Sequence, residues 1–114
     1  MHELGVVFHI ADSVVKIAEE NQASHIRQVV LEIGEVSTII PSYLLDVWSW
    51  NCKRVPMLEG CELTVEEIPA VTYCTACGKT YPTVPQGKIC PYCGSEETYL
   101  QQGNEVEIKE IAVE

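Results

Sequence analysis

Four of the six cysteines form two Cys-x-x-Cys pairs, Cys74-Thr-Ala-Cys77 and Cys90-Pro-Tyr-Cys93, with twelve residues between them. Each pair closes a tight turn that aims two thiolates at one point. A span of that length lets the second turn fold back on the first, which suits a tetrahedral Zn²⁺. Gly78 and Gly94 each follow the second cysteine of a pair, where a knuckle turn favours a residue that tolerates positive φ. Four thiolates predict a closed structural site. An open catalytic zinc would keep three protein ligands and a free position, usually with histidine or carboxylate among them. A redox dithiol and two disulfides are the alternative uses of the same cysteines. Tyr73, Tyr81 and Tyr92 flank the cysteines and are expected to pack around the site.

The second donor set is Met1-His2-Glu3. A bulky residue such as His2 in second place preserves the initial methionine. The free amine, the His2 backbone nitrogen and the His2 imidazole can then close adjacent chelate rings around one ion. Ni²⁺ and Cu²⁺ accept such square-planar nitrogen ligands. Glu3 offers a fourth donor from its carboxylate or its backbone nitrogen. The plainer reading is a frayed helix start with Glu3 well placed against the helix dipole, and spacing alone leaves both open. His9 and His25 are expected to be structural or solvated. Cys52 and Cys61 are expected to be buried core thiols, with a joint redox role as the alternative. There is no His-Glu-x-x-His, no Gly-x-Ser-x-Gly and no phosphate-binding glycine loop, so no enzyme is expected.

The elements that must hold these groups follow from periodicity. Leu4 to about Asn21 predicts a helix whose stripe is Leu4, Phe8, Ala11, Val15 and Ala18, with Val7 and Val14 beside it. Ile26 to Ile33 alternates as a strand, with Val29, Leu31 and Ile33 on one face. Pro41 opens a second helix, where its fixed φ and missing N–H do no harm. Leu44, Val47, Trp48 and Cys52 give that helix its inward face. Cys61 to Glu67 and Glu105 to Val113 predict two more strands. The expected class is α+β: a three-stranded mixed sheet with two helices, plus an inserted four-cysteine zinc-ribbon lobe. The expected domains are 1–69 with 104–114, and 70–103 for the zinc lobe, with Gly103-Asn104 as a turn or hinge. The zinc lobe is too short to fold on apolar burial alone, so metal binding is expected to supply its folding energy.

The 114 residues carry a net charge of −10, and the seven basic residues form no cluster. Such a chain should repel nucleic acid. No apolar run approaches the ~20 residues of a membrane span. Free thiols without a secretion signal point to the cytoplasm.

Taken together these residues resemble the HypA/HybF family of hydrogenase maturation nickel chaperones. The likeness is carried by Met1-His2-Glu3, by Glu32-Ile33-Gly34-Glu35-Val36-Ser37, by Gly60-Cys61, by both Cys-x-x-Cys pairs and by Gln102-Gly103-Asn104-Glu105. It implies Ni²⁺ as transient cargo at Met1, His2 and Glu3, and structural Zn²⁺ at Cys74, Cys77, Cys90 and Cys93. It also implies a HypB-type GTPase and the [NiFe]-hydrogenase large subunit as partners and, in some bacteria, urease maturation proteins. Family members with histidines beside the cysteine pairs have no counterpart here, because no histidine lies beyond His25.

Overall fold

The computed structural model describes residues 3–114. By its internal contacts the chain divides into two compact units. One comprises the chain up to Glu32 with Thr38–Glu66 and Glu107–Glu114; the other comprises Ile33–Ser37 and Glu67–Val106.

The first unit holds two long helices, α1 (Glu3–Glu20) and α2 (Pro41–Cys52). Pro41 occupies the first turn of α2, as its fixed φ favours. The inward face of α2 is Leu44, Trp48, Asn51 and Cys52, while Val47 is half-buried. The buried face of α1 is Val6, Val7, Ile10, Ala11, Val14 and Ala18. That stripe is rotated from the expected one, and Leu4 and Phe8 are each 39% exposed. The reason is that α1 is apolar over more than one face, so period alone does not choose. Phe8 instead lies at the seam with α2, tilted against Trp50 at 6.3 Å between centroids. Trp48 is buried, and its indole Nε1–H donates to the Cys61 carbonyl at 3.2 Å, giving the one polar atom of that side chain a partner.

Strands β1 (Ile26–Gly34), β2 (Glu62–Ile68) and β6 (Val106–Val113) form a three-stranded sheet in the order β2-β1-β6. The amides of Ser24 and His25 donate to the Glu114 carbonyl, and the Gly34 amide donates to Glu105, so β6 runs antiparallel to β1. Gln28 reaches Thr64 and the Glu35 amide reaches Ile68, so β2 runs parallel to β1. The sheet is therefore mixed, and the parallel pair is joined by the crossover through α2. Central β1 is the most apolar strand, with Ile26, Val29, Leu31 and Ile33 all buried.

The second unit carries its own sheet, which periodicity did not foresee. β3 (Val71–Cys74), β4 (Thr80–Pro82) and β5 (Thr98–Gln102) pair antiparallel in the order β4-β3-β5, and a single helical turn, α3 (Thr83–Gln86), follows β4. Thr98–Gln102 is a strand, with Tyr99 and Leu100 opposite Tyr73 and Thr72. Tyr73 and Tyr99 pack at 5.4 Å across the strands.

Candidate metal centre

Each cysteine pair sits in the same local hydrogen-bond pattern. The Cys74 carbonyl accepts from the Gly78 amide at 2.9 Å, and the Cys74 amide donates to the Lys79 carbonyl at 2.9 Å. In the second knuckle the Cys90 carbonyl accepts from Gly94 at 2.9 Å, and the Cys90 amide donates to Ser95 at 3.0 Å. Closing that pattern demands a left-handed residue after the second cysteine, and both glycines stand at φ +74°.

The two knuckles bring all four sulfurs within 4.8 Å of one another. Cys74 Sγ lies 3.6 Å from Cys93 Sγ, and Cys77 Sγ lies 3.7 Å from Cys90 Sγ. Zinc–sulfur bonds of about 2.3 Å at tetrahedral angles set sulfurs about 3.8 Å apart, so the donors fit one zinc ion. A disulfide would need about 2 Å, and the four cysteines are free thiols. Four sulfur donors with no open position make a structural site.

The thiols also compete for protons. Burial drives the Cys90 thiol up, but the backbone amides of Cys93 and Tyr92 and the neighbouring thiols outweigh it and hold the group at about 7. The Ser95 amide pulls Cys93 down, yet its bond to Cys74, burial, Cys90 and Cys77 push it up to about 12. Cys77 also moves up, against the pull of the Lys79 amide, through burial and its bonds to Cys74 and Cys90. One thiolate forms readily and the next ones resist. Four can coexist only around a cation that offsets their charge.

Two of the ligand cysteines, Cys74 and Cys90, form a buried cluster with Tyr81. Tyr81 donates its hydroxyl to the Gly87 carbonyl at 2.9 Å, and Thr98 Oγ1 donates to the Lys88 carbonyl at 2.6 Å. Of the three tyrosines expected around the site, Tyr81 is buried and Tyr73 is half-buried. Tyr92 is 59% exposed and carries Lys79 over its ring at 4.8 Å. Tyr92 faces out because it lies inside its knuckle, between Cys90 and Cys93, where the turn points outward.

The other expected donors lie elsewhere. Met1 and His2 lie outside the described residues. Glu3 is half-buried in the first turn of α1, and its Oε2 accepts from the Ile40 amide at 3.0 Å. His9 is exposed, and His25 places Nε2 2.6 Å from the Glu59 carbonyl. Cys52 and Cys61 are 6% and 8% exposed, and burial first of all raises them to about 11 and about 12, as inert core thiols require. Among the described residues, the four cysteines are the group of three or more such side chains that could hold an ion.

The model of a family described as "Hydrogenase/urease nickel incorporation, metallochaperone, hypA" matches residues 1–113. The chain belongs to the HypA family. The protein named hydrogenase maturation factor HypA in Trichodesmium erythraeum is 38% identical over 118 residues, covering all of this chain and 96% of that one. Its namesake in Geobacter metallireducens is 35% identical over 115 residues, with both chains covered throughout. In fold, the chain is similar to the solution structure of the Ni metallochaperone HypA from Helicobacter pylori, with a TM-score of 0.76 and 24% identity over 99% of this chain and 97% of that one.

Two of the stretches that carry the HypA likeness meet inside the second unit. The Gly34 amide donates to the Glu105 carbonyl at 2.7 Å and the Val36 amide to the Gly103 carbonyl at 2.9 Å. Glu35 Oε1 accepts from the Ala70 amide at 2.8 Å. Gly34-Glu35 and Gly103-Asn104-Glu105 thus build a backbone crossing. No local pattern in the sequence signals it, because the partners lie about seventy residues apart.

Proposed function

We propose that this HypA-family chain binds Ni(II) through the Met1 amine, His2 and Glu3 and passes the ion to the [NiFe]-hydrogenase large subunit during maturation. As a family member it is a nickel metallochaperone for hydrogenase maturation, and not an enzyme. The observation that carries the reading is the family match over residues 1–113, joined to a four-thiolate cluster of zinc geometry. The thiolate site is closed and permanent, so the cargo needs a different, exposed site. An arm with few protein donors suits that, because an acceptor can replace the donors one at a time. A HypB-type GTPase is the proposed working partner, and urease maturation proteins are a second proposed client. No described helix is long and apolar enough to cross a membrane, and we place the protein in the cytoplasm, where six free thiols stay reduced.

Nickel needs deprotonated donors. Affinity is expected to fall as pH drops through the range of a terminal amine (~8) and an imidazole (~6.5). The test is to add one or two residues before Met1 and leave His2 unchanged. Calorimetry should then show nickel binding lost and zinc content intact. Unchanged nickel affinity would remove the amine from the site, and nickel bound equally by His2→Ala would remove the arm altogether.

A further inference from the structure

We propose that the groove between α1 and the end of α2 is a docking site for an extended, acidic peptide segment of a partner protein. The groove encloses about 580 Å³. Its floor is apolar, made by Phe8, Ala11 and Val15 of α1 and by Val55 just after α2. Beside it Leu4 and Trp50 line a further hollow. Leu4 and Phe8 are each 39% exposed and Trp50 is 49% exposed, with Phe8 against Trp50 at 6.3 Å. Scattered exposed apolar side chains are ordinary, but a continuous strip of them along two packed helices marks an interaction surface.

Asn51 identifies what the groove takes. It is 4% exposed and lines the groove. Its backbone carbonyl accepts from the Arg54 amide at 3.0 Å, but among the described residues its side-chain amide has no hydrogen-bond partner. No described side-chain nitrogen or oxygen is both sealed from solvent and unpartnered, so the Asn51 amide reaches open space, and the groove is what it lines. A primary amide sets one acceptor beside two donors, the complement of a peptide unit's N–H and C=O. An extended segment has those groups free, whereas a helix has used them internally. Charge completes the description. Asp12, Lys16, Glu19 and Arg54 also line the groove. Lys16 stands four residues after Asp12 and three before Glu19 on α1, so its charge is offset on its own helix. Arg54 is in neither of the described ion pairs and stacks over Trp50 at 4.8 Å, which leaves the guanidinium fork for a carboxylate. Asp46 stands by the hollow of Leu4 and Trp50. The segment's acid therefore goes to Arg54, its apolar side chain goes to Leu4 and Trp50, and a peptide unit between them meets Asn51.

The test selects a displayed library of random short peptides on the full zinc-loaded chain. Affinities of the winners are then measured for wild type, Asn51→Leu, Arg54→Gln and Lys53→Gln, the last removing a neighbouring cation that does not line the groove. The winners should share one acidic residue close to an apolar one. Arg54→Gln should weaken them roughly tenfold, as the loss of a hydrogen bond to a charged group does, and Lys53→Gln should leave them unchanged. Methylating one peptide nitrogen of a winner should weaken binding to wild type and make no difference to Asn51→Leu, because the lost N–H is the one the amide meets. Asn51→Leu removes an unpartnered amide, so its urea midpoint should match wild type or exceed it; if it fails to fold, Arg54→Gln against Lys53→Gln decides. No enriched peptide, winners with a basic residue in place of the acid, or equal affinity for Arg54→Gln and wild type would overturn the proposal. Self-association of the chain that Arg54→Gln abolishes would make a second copy the occupant and overturn it as well.

Discussion

At Gly34 a single methyl group should do heavy damage. A Cβ at this position would lie 2.0 Å from the Gly103 carbonyl oxygen, 2.1 Å from its carbon and 2.5 Å from the Asn104 nitrogen. All three are backbone atoms, so no rotamer change relieves the clash. Either the end of β1 or the 103–105 chain must retreat. Retreat lengthens the Gly34–Glu105 and Val36–Gly103 hydrogen bonds, which are 2.7 and 2.9 Å long. Each lost bond is worth about 1 kcal/mol. Overpacking a close-packed site adds about 1–3 kcal/mol. Gly34→Ala should therefore cost about 3–5 kcal/mol, out of a typical total of about 5–15. Gly60 provides the control. It stands at φ +70° with nothing within 4 Å of its would-be Cβ, so Gly60→Ala should cost only the left-handed backbone penalty of about 1–2 kcal/mol. The assay is urea denaturation of zinc-loaded protein at fixed free zinc, since bound metal shifts the midpoint by mass action. A Gly34→Ala loss no larger than that of Gly60→Ala would refute the reasoning.

Three further outcomes are expected. Stripping zinc, or Cys74→Ala, should melt Val71–Gln102, because the buried cluster there is only Cys74, Tyr81 and Cys90 and a structural zinc supplies on the order of 10 kcal/mol. NMR should then lose the β3–β5 amides and keep the Trp48 indole N–H on Cys61; intact β3–β5 amides would contradict it. Zinc uptake at pH 7 should release most of the four protons of four thiols, falling short of four because Cys90, at about 7, has already given up part of one. Affinity should accordingly rise with pH, and calorimetry in buffers of different ionisation heat would reveal a smaller release. Above pH 9 the Cys61 thiol should weaken the fold. Burial, with Cys52 and Glu62, raises it from 9.0 to about 12, so the folded chain keeps a proton that the unfolded chain gives up. The stability this group contributes is whole below pH 9 and is lost between 9 and 12, at up to about 1.4 kcal/mol per pH unit. Urea midpoints for wild type should therefore fall more steeply over that range than for Cys61→Ala; parallel curves would rule the thiol out.

What the sequence could tell follows from how far each interaction reaches along the chain. The zinc knuckles were legible because each is complete within six residues: cysteine, cysteine, glycine and two hydrogen bonds that close on the first cysteine. Pro41 marked the start of α2 for the same local reason. The face of α1 was not legible, because Leu4, Phe8 and Ile17 are as apolar as the Val6 and Ile10 that are buried instead. The β3-β4-β5 sheet was missed because its strands are three to five residues long and their pairing depends on partners beyond the knuckles. The Gly34–Gly103 crossing and the Glu3–Ile40 bond have no local signature at all.

The same distinction separates the four-cysteine site from the proposed nickel arm. Each cysteine knuckle can form by itself; pairing of β3 with β5 brings the two knuckles near, and a shared ion would hold Cys74 to Cys93 and Cys77 to Cys90. There a metal would add the long-range stabilisation that so short a chain cannot gain from apolar surface. At Glu3 the protein makes the long-range contact itself, through Ile40. An ion that organises its ligands cannot leave without unfolding them. The proposed nickel arm would start beside a residue held by a contact that needs no ion, so loading and unloading would come at little structural cost, the property a carrier requires.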